Sequence, residues 1–108
     1  MSEEGAKSFD VEVVVEDKKA SMTLEGKLTV QTSPELSDAV SRLPYDVCDI
    51  DVELSKVSYI ASAGLRVLMA MAKLAATRGG TLRLLHPCDS VYDVFEMTSL
   101  SSVFAIER

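Results

Sequence analysis

Among the residues whose type and spacing could do chemistry, Ser62 comes first. It stands in the segment Tyr59-Ile60-Ala61-Ser62-Ala63-Gly64-Leu65 and is the only hydroxyl between Tyr59 and Leu65. The segment joins a strand pattern to a helix pattern, which puts Ser62 at or near the helix N-cap. There its oxygen would accept a backbone N–H of the first turn. The same helix end has free N–H groups and the positive end of the helix dipole, so it tolerates an anion. A phosphate on Ser62 would add about −1.5 to −2 charges. The fold would survive it, whereas a partner docked beside it would feel repulsion and a desolvation cost.

Other candidates give less. Catalysis needs a poised base or nucleophile with partners, and Ser62 has no evident base. His86, the single histidine, precedes Pro87 at a strand end and reads as a solvated turn residue. Asp49, Asp51 and Glu53 alternate along one strand and read as a solvated face, not a metal site. Cys48 and Cys88 form neither a CxxC pair nor a His/Cys cluster, which argues against structural zinc and against a secreted disulfide framework. No GxxxxGK[ST] phosphate loop occurs, and Gly79-Gly80 reads as a helix stop. These observations assign no catalytic residue, no metal and no cofactor, and an enzyme is not expected.

Charge narrows the partners. The formal net charge is −6, whereas nucleic-acid binding rests on Lys and Arg neutralising phosphates. An anionic membrane surface is disfavoured for the same reason. The aromatic residues do not alternate with basic ones to make a stacking platform. The first residues, Met1-Ser2-Glu3-Glu4-Gly5, are polar and acidic with no apolar signal core. No apolar run approaches the roughly 18 residues of a membrane span. Nucleic acid and membrane are therefore not expected partners, and the cytoplasm is the expected location.

The elements that position Ser62 follow from periodicity. Residues 1–8 are expected to be a flexible tail and residues 9–108 one domain. Phe9, Val11, Val13 and Val15 alternate with Asp10, Glu12, Val14 and Glu16, a half-buried strand pattern with the first set inward. Asp17-Lys18 breaks the run, and a second alternation with Ala20, Met22 and Leu24 inward completes a hairpin. Thr32-Ser33-Pro34-Glu35 opens a first helix, with Thr32 or Ser33 as cap, and Pro44 stops it. A third strand runs from about Val47, a fourth covers Thr81–Leu85, Ser90 caps a third helix, and Val103–Ile106 closes the chain as a short strand. The order β-β-α-β-α-β-α-β implies an α/β fold. Its sheet of about five strands is mixed and mostly parallel, with helices on one face and the acidic face toward water.

The second helix is apolar nearly all round. Placed at 100° per residue, Leu65, Leu68, Met69, Ala72, Ala75 and Ala76 share one arc, read as the core stripe. Arg66 and Lys73 lie on a flank, and Val67, Ala70, Met71 and Leu74 fill the far side. Either a neighbouring element covers that far side, or it is an exposed partner patch; the patch is the reading preferred, since Met adapts well to such surfaces. Dimerisation through this side stays open. Gly64 would let a partner's backbone come close.

Four segments together resemble the STAS-domain proteins of the anti-sigma factor antagonist type. They are Leu24-Glu25-Gly26-Lys27-Leu28 with Thr32-Ser33-Pro34-Glu35-Leu36; Asp51-Val52-Glu53-Leu54-Ser55-Lys56-Val57; Ile60-Ala61-Ser62-Ala63-Gly64-Leu65-Arg66-Val67-Leu68; and residues 90–100, Ser90 to Leu100. The resemblance implies a single STAS domain that, unphosphorylated, binds an anti-sigma factor serine kinase and frees a sigma factor. It implies Ser62 as phosphoacceptor, with a PP2C-type serine phosphatase reversing the modification. The docking surface is read around Ala61, Ala63, Gly64, Arg66, Val67, Met71 and Leu74, from the apolar side of the second helix and the loop that carries Ser62. Ala61 and Thr29 stand where the best-studied or many members carry aspartate, which bears on the kinase's contacts. A rival reading keeps the fold without the switch: a constitutive STAS interaction subunit of a transport or other complex.

Overall fold

The computed structural model describes residues 9–108; the expected tail falls on residues 1–8, outside the described residues. The elements run β1 (Phe9–Glu16), β2 (Lys19–Leu28), α1 (Ser33–Ser41), β3 (Asp49–Ile60), α2 (Ser62–Thr77), β4 (Leu82–Leu85), α3 (Asp89–Met97), a 3₁₀ turn (Leu100–Ser102) and β5 (Ala105–Glu107). The sheet order is β1-β2-β3-β4-β5. Only β1–β2 is antiparallel, and the other pairs are parallel. Parallel neighbours cannot be joined by tight turns, and the three helices supply their connections. The expected element order and mixed sheet are those observed.

Alternation places the core on the helix-covered side. Ala20, Met22 and Leu24 of β2, Ile50, Val52 and Leu54 of β3, and Leu82 and Leu84 of β4 are buried against Leu36, Leu65, Leu68, Val91 and Phe95 of the helices. Phe95 meets Phe104 edge-on at 5.7 Å between ring centres, which seats the last turn on α3. The end of α2 is fixed by Gly79 at φ +80. Gly80 N–H donates to the Ala75 carbonyl at 2.8 Å and Gly79 N–H to that of Ala76 at 3.0 Å, the Schellman closure that a left-handed glycine permits.

Two expectations about this core are corrected. Val13 and Val15 are 39% and 38% exposed instead of inward. The reason is reach: α1 lies against Asp10 and Val11, at the Phe9 end of β1, and leaves the far half of the hairpin uncovered. Asp51, expected on a solvated face, is only 7% exposed. Its carboxylate is the centre of an ionic ladder across the open sheet face. Lys19 Nζ lies 2.8 Å from Oδ2, and Arg83 donates through Nε at 2.9 Å and Nη2 at 2.7 Å. Arg83 Nη1 continues the ladder to Glu107 Oε2 at 2.7 Å. The charges on four neighbouring strands thus cover the face that no helix protects.

Candidate functional site

The site is built where β2 and β3 end side by side. Leu28 pairs with Ile60, and the next residue, Ala61, donates its N–H to the Leu28 carbonyl at 2.8 Å. Ala61 is extended, with φ −91 and ψ 169, and occupies the N-cap of α2. Its carbonyl accepts from Gly64 N–H at 2.9 Å and Leu65 N–H at 3.1 Å. The methyl side chain of Ala61 has no oxygen to offer the first-turn N–H groups, and α2 has no side-chain cap. Beside it, the loop after β2 is tied by Thr32 Oγ1, which donates to the Lys27 carbonyl at 2.8 Å and accepts from Thr29 N–H at 2.8 Å. Thr29 is thus part of a hydroxyl-tied turn.

Ser62 is the first residue of α2, one place past the cap. This corrects the expectation that its side chain caps the helix. The serine is exposed, and among the described residues its hydroxyl has no hydrogen-bond partner. An exposed, unengaged hydroxyl therefore stands at the positive end of a 16-residue helix.

Gly64 is placed differently from expectation. It is buried, and a Cβ there would lie 2.6 Å from Leu28 Cγ and 2.7 Å from Leu28 Cδ2. The missing side chain makes room for β2, not for a partner. Gly64 is therefore a packing residue beneath the site.

The buried stripe of α2 is Gly64, Leu65, Leu68, Met71 and Ala75. It lies on the Gly64 side of Leu65, rotated away from the Met69 side. Met69, expected in the core, is 47% exposed, and Met71, expected in the exposed patch, is 1% exposed. Ala76, also expected inward, is exposed. The cause is α1, which packs against α2 and covers the flank that carries Met71. An apolar groove of about 480 Å³ remains between the two helices. Val40 and Leu43 of the α1 side, and Val67, Ala70 and Leu74 of α2, line it with Met71 at its floor. Arg66 stands at one end and Arg78 at the other. Arg78 is engaged, donating Nη1 to the carbonyls of Val47 at 2.8 Å and Pro44 at 3.3 Å. The structure thus brings Arg66, Val67, Met71 and Leu74 to one groove, next to the helix end that bears Ser62. Ala61 and Ala63 flank the serine and are half-buried. The α1 half of the groove was missed from sequence because Val40 and Leu43 fit the inward stripe of a short helix.

The remaining titratable groups do not converge on Ser62. Hydrogen bonds from Arg83 hold the Asp51 carboxyl below its usual range, against the opposing effect of burial. His86, in the left-handed region at φ +57, places Nδ1 3.1 Å from both carboxylate oxygens of Glu53. Burial raises the Glu53 pKa, but hydrogen bonds from Ser55 and His86 outweigh it and leave the group below its usual value. The N-cap position of α3 is Cys88, not Ser90 as expected, and no side chain caps the helix; the hydrogen bond between Cys88 and Ser90 lowers the thiol pKa. Among the described residues no group of His, Cys, Asp and Glu could hold a metal ion. A larger hollow of about 690 Å³ lies at the hairpin end of the sheet, lined mainly by residues 16–19 with Asp46 and Asp49. Its mixed charges present no convergent set, and it is remote from α2's start. No described helix is long and apolar enough to cross a membrane.

Comparison with known proteins gives a consistent result. A family model described as "Mlab, STAS domain" matches residues 11–105. The anti-sigma-B factor antagonist of Staphylococcus aureus (strain NCTC 8325 / PS 47) is 29% identical over 102 residues, covering 94% of each chain. An anti-sigma factor antagonist from Mycobacterium paratuberculosis shares the fold with a TM-score of 0.81 at 21% identity, over 93% of this chain and 86% of that one. SpoIIAA, a Bacillus cell fate determinant solved in a phosphorylated form, superposes with a TM-score of 0.69 at 19% identity, over 91% and 89% of the two chains.

Proposed function

The chain belongs to the STAS-domain family, and on that footing we propose that it is an anti-sigma factor antagonist switched by phosphorylation of Ser62. Unphosphorylated, it binds an anti-sigma factor that is also a serine kinase, with the α1–α2 groove and the start of α2 as the docking face. The kinase transfers the γ-phosphoryl group of ATP. A bond forms from Ser62 Oγ to the γ-phosphorus, the bond to the ADP oxygen breaks, and the hydroxyl proton leaves to a base on the kinase. A PP2C-type phosphatase restores the hydroxyl with water and releases inorganic phosphate.

The observation that carries this reading is the Ser62 hydroxyl, exposed and without a partner among the described residues, on the first residue of α2 beside an apolar groove. A structural cap would be engaged with the backbone. The names of the relatives support the regulatory class over an enzyme. The docking face uses Arg66, Val67, Leu74 and the residues flanking Ser62, with Met71 as the packed floor. A second reading keeps the STAS fold without the switch: a constitutive interaction subunit in which the α1–α2 groove is a permanent interface and Ser62 is never modified.

Affinity purification from native cells separates the two. Wild-type protein retains an ATP-binding kinase that Ser62→Glu loses if the switch operates. Equal retention of the same partner by both forms favours the constitutive subunit.

A further inference from the structure

Arg66 is an exposed cation on α2. Helix α2, from Ser62 to Thr77, contains no Asp or Glu. Among the described residues Arg66 makes no ion pair, although every other described arginine does so or is held by carbonyls. It is exposed, as is Ser62. The two are four residues apart on one helix, so their Cβ atoms lie about 5–6 Å from each other. Such pairs are strongest when the anion is N-terminal to the cation, which is the order here. Arg66 also lines the α1–α2 groove, where the other cation, Arg78, is tied to two backbone carbonyls.

We infer that Arg66 reads the phosphorylation state of Ser62: it stands free at the groove while Ser62 carries a hydroxyl, and closes an intrahelical ion pair with the phosphate once Ser62 is modified. The inference rests on Ser62 being the phosphoacceptor. Its consequence is a change of charge at the groove's end. In the unmodified state that end is positive and suits a carboxylate on the docked partner. In the modified state the guanidinium is engaged and the same end carries net negative charge, since a phosphate brings about −1.5 to −2 charges against a single cation. The switch then acts by charge reversal at one end of a preformed groove and needs no rearrangement of the fold. Lys73 lies on the same exposed side of α2 but about 16 Å along the axis from Ser62, too far to take part.

The test uses the full chain with phosphoserine encoded at position 62 and follows the phosphate by ³¹P NMR against pH. The phosphate's second ionisation lies near pH 6. It is expected about 0.3 unit lower in the otherwise wild-type protein than in the Arg66→Gln protein, with Lys73→Gln matching wild type. The Val67 methyl signals, next to Arg66 at that end of the groove, should move on phosphorylation in wild type and move less in Arg66→Gln. Equal ionisation in wild type and Arg66→Gln, or equal methyl shifts in both, overturns the inference. Because the phosphoserine is installed during synthesis, the result does not depend on a kinase. Absence of phosphate in native cells would remove the proposed function and leave this measurement standing.

Discussion

Moving the cap by one residue should separate the structural serine from the functional one. The N-cap of α2 is Ala61, with the extended φ −91 and ψ 169 that a capping residue adopts, and no side chain satisfies the first-turn N–H groups. Ala61→Ser places an oxygen where it can accept from them, and Ala61→Asp adds a negative charge at the positive helix end. Reversing the usual cost of losing a cap gives a gain of about 1 kcal/mol. At roughly 4–8 °C per kcal/mol for a domain near this size, thermal unfolding should rise by several degrees. Ser62→Ala, by contrast, deletes a hydroxyl without a partner among the described residues and should change stability by less than about 0.5 kcal/mol. Urea titration and calorimetry on the three variants give the comparison. If Ser62→Ala costs about 1 kcal/mol and Ala61→Ser gains nothing, Ser62 is the cap after all and the argument that its hydroxyl is free fails.

Met71→Ala should cost about 2–5 kcal/mol by opening a cavity under the groove, and Met71→Glu should leave the chain unfolded or nearly so, as read by circular dichroism. Gly64→Ala should destabilise by about 1–3 kcal/mol because of the Leu28 contact, and Leu28→Ala in the same chain should recover part of that loss, a coupling that a double-mutant cycle measures. Asp51 has a folded-state pKa held below its ordinary 3.8, first by hydrogen bonding from Arg83. The unfolded chain therefore binds the proton more readily. The carboxylate's stabilisation is present above the ordinary value and is lost as pH falls through the folded pKa, so Asp51→Asn should flatten the fall in stability below about pH 4.

Much of the architecture was readable because its signals are local. Period-two alternation marked β1 through β3, Asp17-Lys18 and Pro44 interrupted the pattern where the chain turns, and Gly79 closed α2. The errors share a cause, in that tertiary neighbours decide them. Helix α2 is apolar on nearly every side, so periodicity could not fix its rotation. The packing of α1 did so, drawing Met71 inward and leaving Met69 out. Val13 and Val15 carry an inward pattern, but no helix reaches them. Asp51 looks like its exposed neighbour Asp49, and only the cross-strand position of Lys19 and Arg83 accounts for its burial. At the site, the strand-to-helix junction at Ser62 is legible from its surroundings, while the displacement of Ser62 from the cap by one residue depends on backbone angles that sequence does not show.

The proposed switch requires that Ser62 be modified in the cell. Intact-mass and phosphosite analysis of the protein purified from its native cells, beside a Ser62→Ala form, tests it most directly. A single phosphate on Ser62, absent from the mutant, is the expected result. Protein that carries no phosphate under stress and with phosphatase blocked, or a phosphate that persists in Ser62→Ala, would contradict it.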